Sequence, residues 1–274
     1  VGHSALGSSK GVQHDVGHAL CGVFDSQHEV AHYINDCDRA GSGGLVPRVR
    51  HLIDDAGVDF VTDAGEDGLC AHRHGASELF VVERGEIVTC FRKTLLPTYD
   101  VFDEDRYFEP CRGPQVMDLD GARIGVSICE DIWNDRDFWK RRRYHHDPVE
   151  ELVHAGATAI VNLSASPFTV GKHRRREEML SAMARKHRVP LVYVNQYGGN
   201  DDLVFDGRSC GFSAQGAPLA RGASFGPDVV LCDLAQTSSI GPADDLVAES
   251  EVWRALVLGT RDYSRKCGFR SVVL

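Results

Sequence analysis

The chain has 274 residues, enough for one large domain or two modest ones with a sizeable buried core. Hydrophobic residues at 42% exclude wholesale disorder, and a formal charge of -10 excludes general nucleic-acid binding, because phosphates would go unneutralised. No apolar run reaches the roughly 20 residues of a membrane span, no basic-then-apolar leader opens the chain, and nine scattered cysteines without a CxxC pair fit a reducing compartment, so a cytoplasmic, non-membrane protein is expected.

Residues 1–50 form an irregular or atypical segment, rich in Gly, His and Ser and weak in periodicity. Its histidines match neither HExxH nor a Cys/His finger, so no metal site is expected. Gly41 to Pro47 reads as a linker, Val49 to Ala56 as a short helix and Val58 to Val61 as a short strand. The pattern sharpens after Ser77. Leu79–Glu83 and Glu86–Lys93 are β-rich runs about an Arg84-Gly85 turn, and Gln115–Leu119 and Ala122–Cys129 repeat that arrangement about Asp120-Gly121. Between them, Pro97–Glu109 is a loop of aromatics and acids.

A charge-rich helical stretch is expected after Trp133, ending near Ala155-Gly156. Ala157–Leu163 is an apolar strand, Ser164–Gly171 a loop of small residues, and His173–His187 a helix with Met179, Leu180 and Met183 on one side. The basic runs Lys140–Arg143 and His173–Arg176 read as solvated faces. Val189–Asn195 is a strand closed by Tyr197-Gly198-Gly199, and a further hairpin turns at Gln215-Gly216. Asp244–Lys266 is helical, and Phe269–Leu274 reads as a strand cut short by truncation. Strands alternating with helices and hairpins give an α/β protein with mixed sheets.

Cys129 is the most informative thiol. It ends the apolar strand Arg123–Ile128 and precedes Glu130-Asp131-Ile132-Trp133, so a sharp turn would present it at the sheet edge. Placement at a helix start lowers a thiol's pKa and favours the thiolate, whereas the alternative is an inert buried cysteine. Lys93 closes a strand and either points to solvent or, beside a thiolate, steadies an oxyanion. Ser164–Phe168 offers hydroxyl and backbone donors, and Lys172 either pairs with a carboxylate or is a solvated cation at a helix start.

Five ordered blocks carry a resemblance that runs from about Ser77 to the C-terminus. Phe91–Pro110, Ile124–Trp133 (IGVSICEDIW), Asn162–Gly171 (NLSASPFTVG) and Val192–Gly207 resemble the nitrilase-superfamily glutaminase domains of glutamine-dependent NAD+ synthetases, and Val252–Leu274 resembles the helix and first strand that open their synthetase domain. The resemblance implies a nitrilase-like (carbon-nitrogen hydrolase) α-β-β-α sandwich at 51–240. It implies that 241–274 are a linker helix and the first strand of a synthetase domain truncated before its pyrophosphate-binding loop. It further implies Cys129 as nucleophile, Lys93 as oxyanion-stabilising cation, and Tyr99, Ser166 and Lys172 as holders of L-glutamine. Glu104, in the lid motif, would assist or be structural.

Hydrolysis would need no cofactor, with ATP and Mg2+ confined to the missing synthetase domain, to which ammonia would be delivered. A homo-oligomer is implied. The family's general-base glutamate has no evident counterpart: Glu29 lies in an unrelated context and Glu66 too close to Lys93, as if the N-terminus were replaced or frame-shifted. A stand-alone amidase and a non-catalytic remnant are the alternatives.

Overall fold

The computed structural model describes residues 18–22, 58–63, 78–83, 86–100, 102–200, 202–235 and 247–273. Strands β1 (His18–Gly22) and β2 (Val58–Asp63) precede the hairpin β3 (Glu78–Glu83) and β4 (Glu86–Arg92). The hairpin β5 (Val116–Leu119) and β6 (Ala122–Ile128) follows, then helix α1 (Pro148–His154), β7 (Ala159–Ser164), helix α2 (Lys172–His187) and β8 (Leu191–Asn195). The chain continues through β9 (Tyr197–Asn200), β10 (Leu203–Asp206), β11 (Cys210–Phe212), β12 (Pro218–Arg221) and β13 (Val229–Asp233) to helix α3 (Ala248–Lys266).

A six-stranded mixed sheet in the order β12-β11-β8-β7-β6-β5 is the centre of the molecule. Its middle strands β6, β7 and β8 run parallel, because helices α1 and α2 return the chain between them, while hairpins add the antiparallel outer strands. These middle strands are buried along most of their length, as expected of strands covered on both faces. On one face lie α1 and α2, whose Leu152, Met179, Leu180 and Met183 pack with Ile160, Leu191 and Tyr193. On the other face, Leu79, Val81 and Phe91 of β3 and β4 and Cys232 of β13 meet Ile124, Val126, Val161 and Val192. Helix, sheet and sheet layers of the nitrilase-like α-β-β-α order are therefore present among the described residues. Among the described residues, the second β layer is two separate antiparallel ladders, β2-β3-β4 and β1-β13, rather than one mixed sheet.

Four local expectations need correction. The segment between Trp133 and Asp147 is not helical, because side chains capture its backbone: Asp135 Oδ1 accepts the N–H groups of Asp137 and Phe138, and Asn134 Nδ2 donates to the carbonyls of Tyr144 and His146. Helix α1 starts only where Asp147 caps the Glu150 amide and Pro148 takes the first helical position. Tyr197-Gly198-Gly199, expected as a closing turn, is the strand β9, paired with β10. Residues 269–273 form no strand, since no ladder partner meets them among the described residues and Val273 stands 95% exposed. Among the described residues of the segment 1–50, His18–Gly22 form the strand β1, paired antiparallel with β13. The helix expected at Val49–Ala56 and the linker at Gly41–Pro47 lie outside the described residues.

Candidate active site

Strand β6 is buried from Ile124 to Ile128 and ends at Cys129, whose φ of 47° is in the left-handed region. An L side chain there costs about 1–2 kcal/mol. A 3-10 turn, Cys129–Trp133, follows directly, and the Asp131 carboxylate holds it by accepting the Ile128 N–H at 2.9 Å. The sharp turn expected at Cys129 is therefore present. It exposes part of the residue while the sulfur faces inward, where the Ala165 N–H donates to it.

Lys93 follows β4 and is 2% exposed, not directed to solvent. Its Nζ donates to both carboxylate oxygens of Glu104, at 2.7 and 2.6 Å. The Lys93 charge reaches the thiol as well. Burial pushes the Cys129 pKa up, and the Lys93 ammonium and then the Ala165 N–H pull it part of the way back. This corrects the expectation of a net lowered thiol pKa: the turn is short and the sulfur is desolvated, so burial outweighs the helix-start effect. Glu130 and Glu104 are the carboxylates whose charges also act on this sulfur.

Tyr99 reaches the same place from the loop after β4. Its hydroxyl donates to Glu130 at 2.7 and 2.8 Å, Tyr144 adds a donor at 3.3 Å, and the Arg143 guanidinium covers the Tyr99 ring at 3.7 Å. Burial raises the pKa of Tyr99, and its bond to Glu130 adds to the rise. Burial also raises that of Glu130, against the donors Tyr99, Lys93 and Tyr144. Lys140–Arg143 are exposed, as expected of a solvated run, and Arg143 stacks on Tyr99 from that exposed position.

On the opposite side, Ser166 is buried, and its N–H donates to Asn195 Oδ1 at 2.9 Å. Lys172 is half-buried: its Nζ donates to the Pro167 carbonyl at 3.0 Å and lies 5.3 Å from the centre of the Trp133 ring. Burial lowers its pKa and the Arg176 charge adds to this, while Cys129, Asp206 and Glu130 act oppositely. His173 and Arg176 are also buried, at 4% and 1% exposure, and this overturns their reading as a solvated face. Arg176 lies 3.5 Å from Asp206, and His173 lies 3.1 Å from Glu251. Charge alone suggests solvent; their places at i and i+3, in step with buried Met179, Leu180 and Met183, were the available signal.

Cys129, Lys93, Tyr99 and Lys172 are therefore linked by hydrogen bonds or by charge into one site, with Ser166 in the loop whose Ala165 amide meets the sulfur. Sequence reasoning missed Glu130, Asp131, Tyr144 and Asn195. The first two stand immediately after Cys129, where two acids beside the candidate thiol were the signal. Tyr144 and Asn195 are brought in by tertiary structure alone. Glu29 and Glu66 lie outside the described residues. Among the described residues, no three His, Cys, Asp or Glu side chains gather as a metal-ligand set.

The sequence profile of carbon-nitrogen hydrolases matches residues 75–240, which hold this whole cluster. The chain belongs to the carbon-nitrogen hydrolase family. This carbon-nitrogen hydrolase is 44% identical over 213 residues to a glutamine-dependent NAD(+) synthetase of Synechocystis sp., an alignment covering 74% of this chain and 38% of the relative. A protein of the same name from Thermotoga maritima is 36% identical over 234 residues, covering 71% of this chain and 38% of that one. The chain thus spans well under half the length of these curated relatives.

Among solved structures, the glutamine-dependent NAD+ synthetase of Acinetobacter baumannii superposes with a TM-score of 0.71 at 25% identity, over 93% of this chain and 53% of that chain. An amidase from Nesterenkonia sp., at 21% identity and a TM-score of 0.52 over 65% of this chain and 60% of its own, shares the fold. The nitrilase-like architecture expected from the five sequence blocks is borne out.

Proposed function

We propose that the chain is the glutaminase part of a glutamine-dependent NAD+ synthetase, hydrolysing L-glutamine to glutamate and ammonia. The observation that carries this reading is the pair of opposite charges, Glu130 and Lys172, whose fields both reach the Cys129 thiol. Free glutamine has an α-ammonium, an α-carboxylate and a carboxamide. Glu130 matches the first, Lys172 the second, and Cys129 attacks the third, with Tyr99 orienting Glu130 and Ser166 lining the loop beside the sulfur.

The chemistry follows from these groups. The Cys129 thiol gives its proton to Glu104, the Lys93-paired carboxylate whose charge acts on the sulfur. The Sγ attacks the carboxamide carbon, and Lys93 steadies the oxyanion that forms. The C–N bond breaks, the nitrogen takes the proton from Glu104 and leaves as ammonia, and a glutamyl thioester remains. Water, losing a proton to Glu104, adds to the thioester carbon; the C–S bond breaks, glutamate leaves, and Sγ takes the proton back from Glu104 to restore the thiol.

Nothing in this sequence of steps calls for a metal or an organic cofactor. ATP and Mg2+ would serve the amidation of nicotinic acid adenine dinucleotide in the part of the relatives that this chain does not span, and ammonia would be delivered there. We assign 51–240 to the glutaminase domain, 1–50 to an atypical leading segment and 241–274 to the opening of the synthetase domain. A homo-oligomer in the cytoplasm completes the reading. It is supported by the apolar face of α3, with Trp253 at 69% and Leu256 at 61% exposure, and by the thiols of Cys111, Cys129, Cys232 and Cys267, none of which is in a disulfide.

Ammonia release from millimolar glutamine, compared with Cys129→Ala, tests the reading. Release that vanishes in the variant supports it. No release from the unaltered chain favours a non-catalytic remnant, and release from small aliphatic amides but not glutamine favours a stand-alone amidase.

A further inference from the structure

Gly171, the residue before Lys172, has a φ of 74° and donates its N–H to Glu251 Oε2 at 3.2 Å. Glu251 belongs to the first turn of α3, eighty positions along the chain and beyond the 75–240 segment that matches the family profile. It is 1% exposed. Its other oxygen accepts from Arg208 Nη2 at 2.8 Å and lies 3.1 Å from His173 Nδ1. Arg208 Nη1 donates to Asp206 Oδ2 at 3.2 Å. Asn195 Nδ2 donates to Asp206 Oδ1 at 3.2 Å, and Asn195 Oδ1 accepts the Ser166 N–H. One carboxylate from the terminal helix thus touches the residue before Lys172 directly and reaches the Ser166 loop through three buried side chains.

Docking α3 does not demand that charge. Ala255 and Leu258, on the same face of the helix, are buried and apolar. A buried carboxylate is costly to desolvate, and an apolar side chain of similar volume would pack this position at least as well. What the carboxylate adds is an acceptor for Gly171 and a partner for Arg208, both aimed at the segments that carry Lys172 and Ser166.

We infer that Glu251 is a positioning residue for the amide-hydrolysing site, fixing Lys172 at the start of α2 and extending the functional unit past residue 240 into α3. The identity of the substrate rests on the glutaminase reading; the positioning does not. Without the Gly171 anchor, the ammonium of Lys172 loses its fixed place, and the substrate's carboxylate is held less well. The chemistry at Cys129, which touches no atom of Glu251, changes little.

The test compares Glu251→Gln and Glu251→Ala with the unaltered chain, using Glu249→Gln, on the exposed side of the same turn, as control. Two quantities are read: kcat and KM for glutamine, and the rate at which an amine-directed trinitrophenyl reagent labels Lys172, mapped by peptide mass spectrometry. Glu251→Ala should raise KM about 10- to 100-fold with kcat within about threefold, and Lys172 should label several times faster. Glu251→Gln, which keeps an acceptor for Gly171, should recover part of both, and Glu249→Gln should match the unaltered chain. Folded variants with unchanged KM and unchanged Lys172 labelling overturn the proposal.

Should neither variant fold, hydrogen exchange of the unaltered chain decides: the Gly171 amide should exchange in step with the amides of α3, and free exchange at Gly171 while α3 stays protected overturns it. If the unaltered chain releases no ammonia from glutamine, the glutaminase reading fails, and the labelling and exchange measurements alone judge Glu251.

Discussion

The Leu95 N–H donates to Asp131 Oδ1 at 2.7 Å, so the loop that follows Lys93 is tied to the turn that carries Cys129. Thr94 adds a second N–H to the same oxygen at 3.0 Å, and Ile128 binds the other oxygen. One buried carboxylate therefore sets the spacing of ammonium and thiol, although it takes no part in the bond changes proposed for them.

Asp131→Asn should separate the two segments. The amide keeps one acceptor oxygen but turns an NH2 group toward the Ile128 N–H, at a cost of about 1–3 kcal/mol in folding stability. The pH dependence should change as well. Burial, opposed by the Ile128 and Leu95 amides, raises the Asp131 pKa from 3.8 to about 7. Over that window the folded chain keeps a proton that the unfolded chain gives up, so this group makes stability fall as pH rises. Urea unfolding at a series of pH values should show a shallower fall for the asparagine variant.

Lys93→Met should leave the desolvated thiol without the charge that most opposes its burial. Burial already holds Cys129 above the ordinary thiol range, so alkylation by iodoacetamide should climb with pH on the alkaline side. Loss of the ammonium should move that climb to still higher pH. Turnover should fall about 10²- to 10³-fold, as for loss of one oxyanion donor. Alkylation profiles that coincide would remove Lys93 from the thiol's environment.

Glu130→Gln removes the charge assigned to the α-ammonium of glutamine, and KM should rise about 10- to 100-fold with a smaller change in kcat. Tyr99→Phe should act in the same direction more weakly, since Tyr144 still donates to Glu130. Steady-state kinetics with glutamine check both.

Trp253→Glu addresses assembly. Trp253, Leu256 and Val257 stand exposed on the side of α3 away from the buried Glu251, Ala255 and Leu258. Light scattering should show the unaltered chain above the mass of one copy and the variant shifted toward it. A lone copy in both cases argues against self-association through this face.

Much of the fold was legible in the sequence where local signals agree. The turns at Arg84-Gly85 and Asp120-Gly121 and the 3.6-residue spacing of Met179, Leu180 and Met183 each marked the element that forms. The segment after Trp133 misled because its charged composition suits a helix, while Asn134 and Asp135 offer the backbone competing partners. In the site, position drew attention to Cys129, and the family resemblance singled out both Cys129 and Lys93. Asn195 and Tyr144 did not stand out, because what defines them is contact across 29 and 14 positions of chain. Arg176 was misjudged for a related reason: its counter-charge, Asp206, lies at the end of strand β10, outside its own helix.

The most direct measurement is acid quenching of the chain during turnover with glutamine, followed by mass spectrometry of the peptide that contains Cys129. The account predicts a mass gain of one glutamyl group on that peptide, lost with Cys129→Ser and discharged by hydroxylamine. Ammonia formed from glutamine while Cys129 stays unmodified throughout would contradict it.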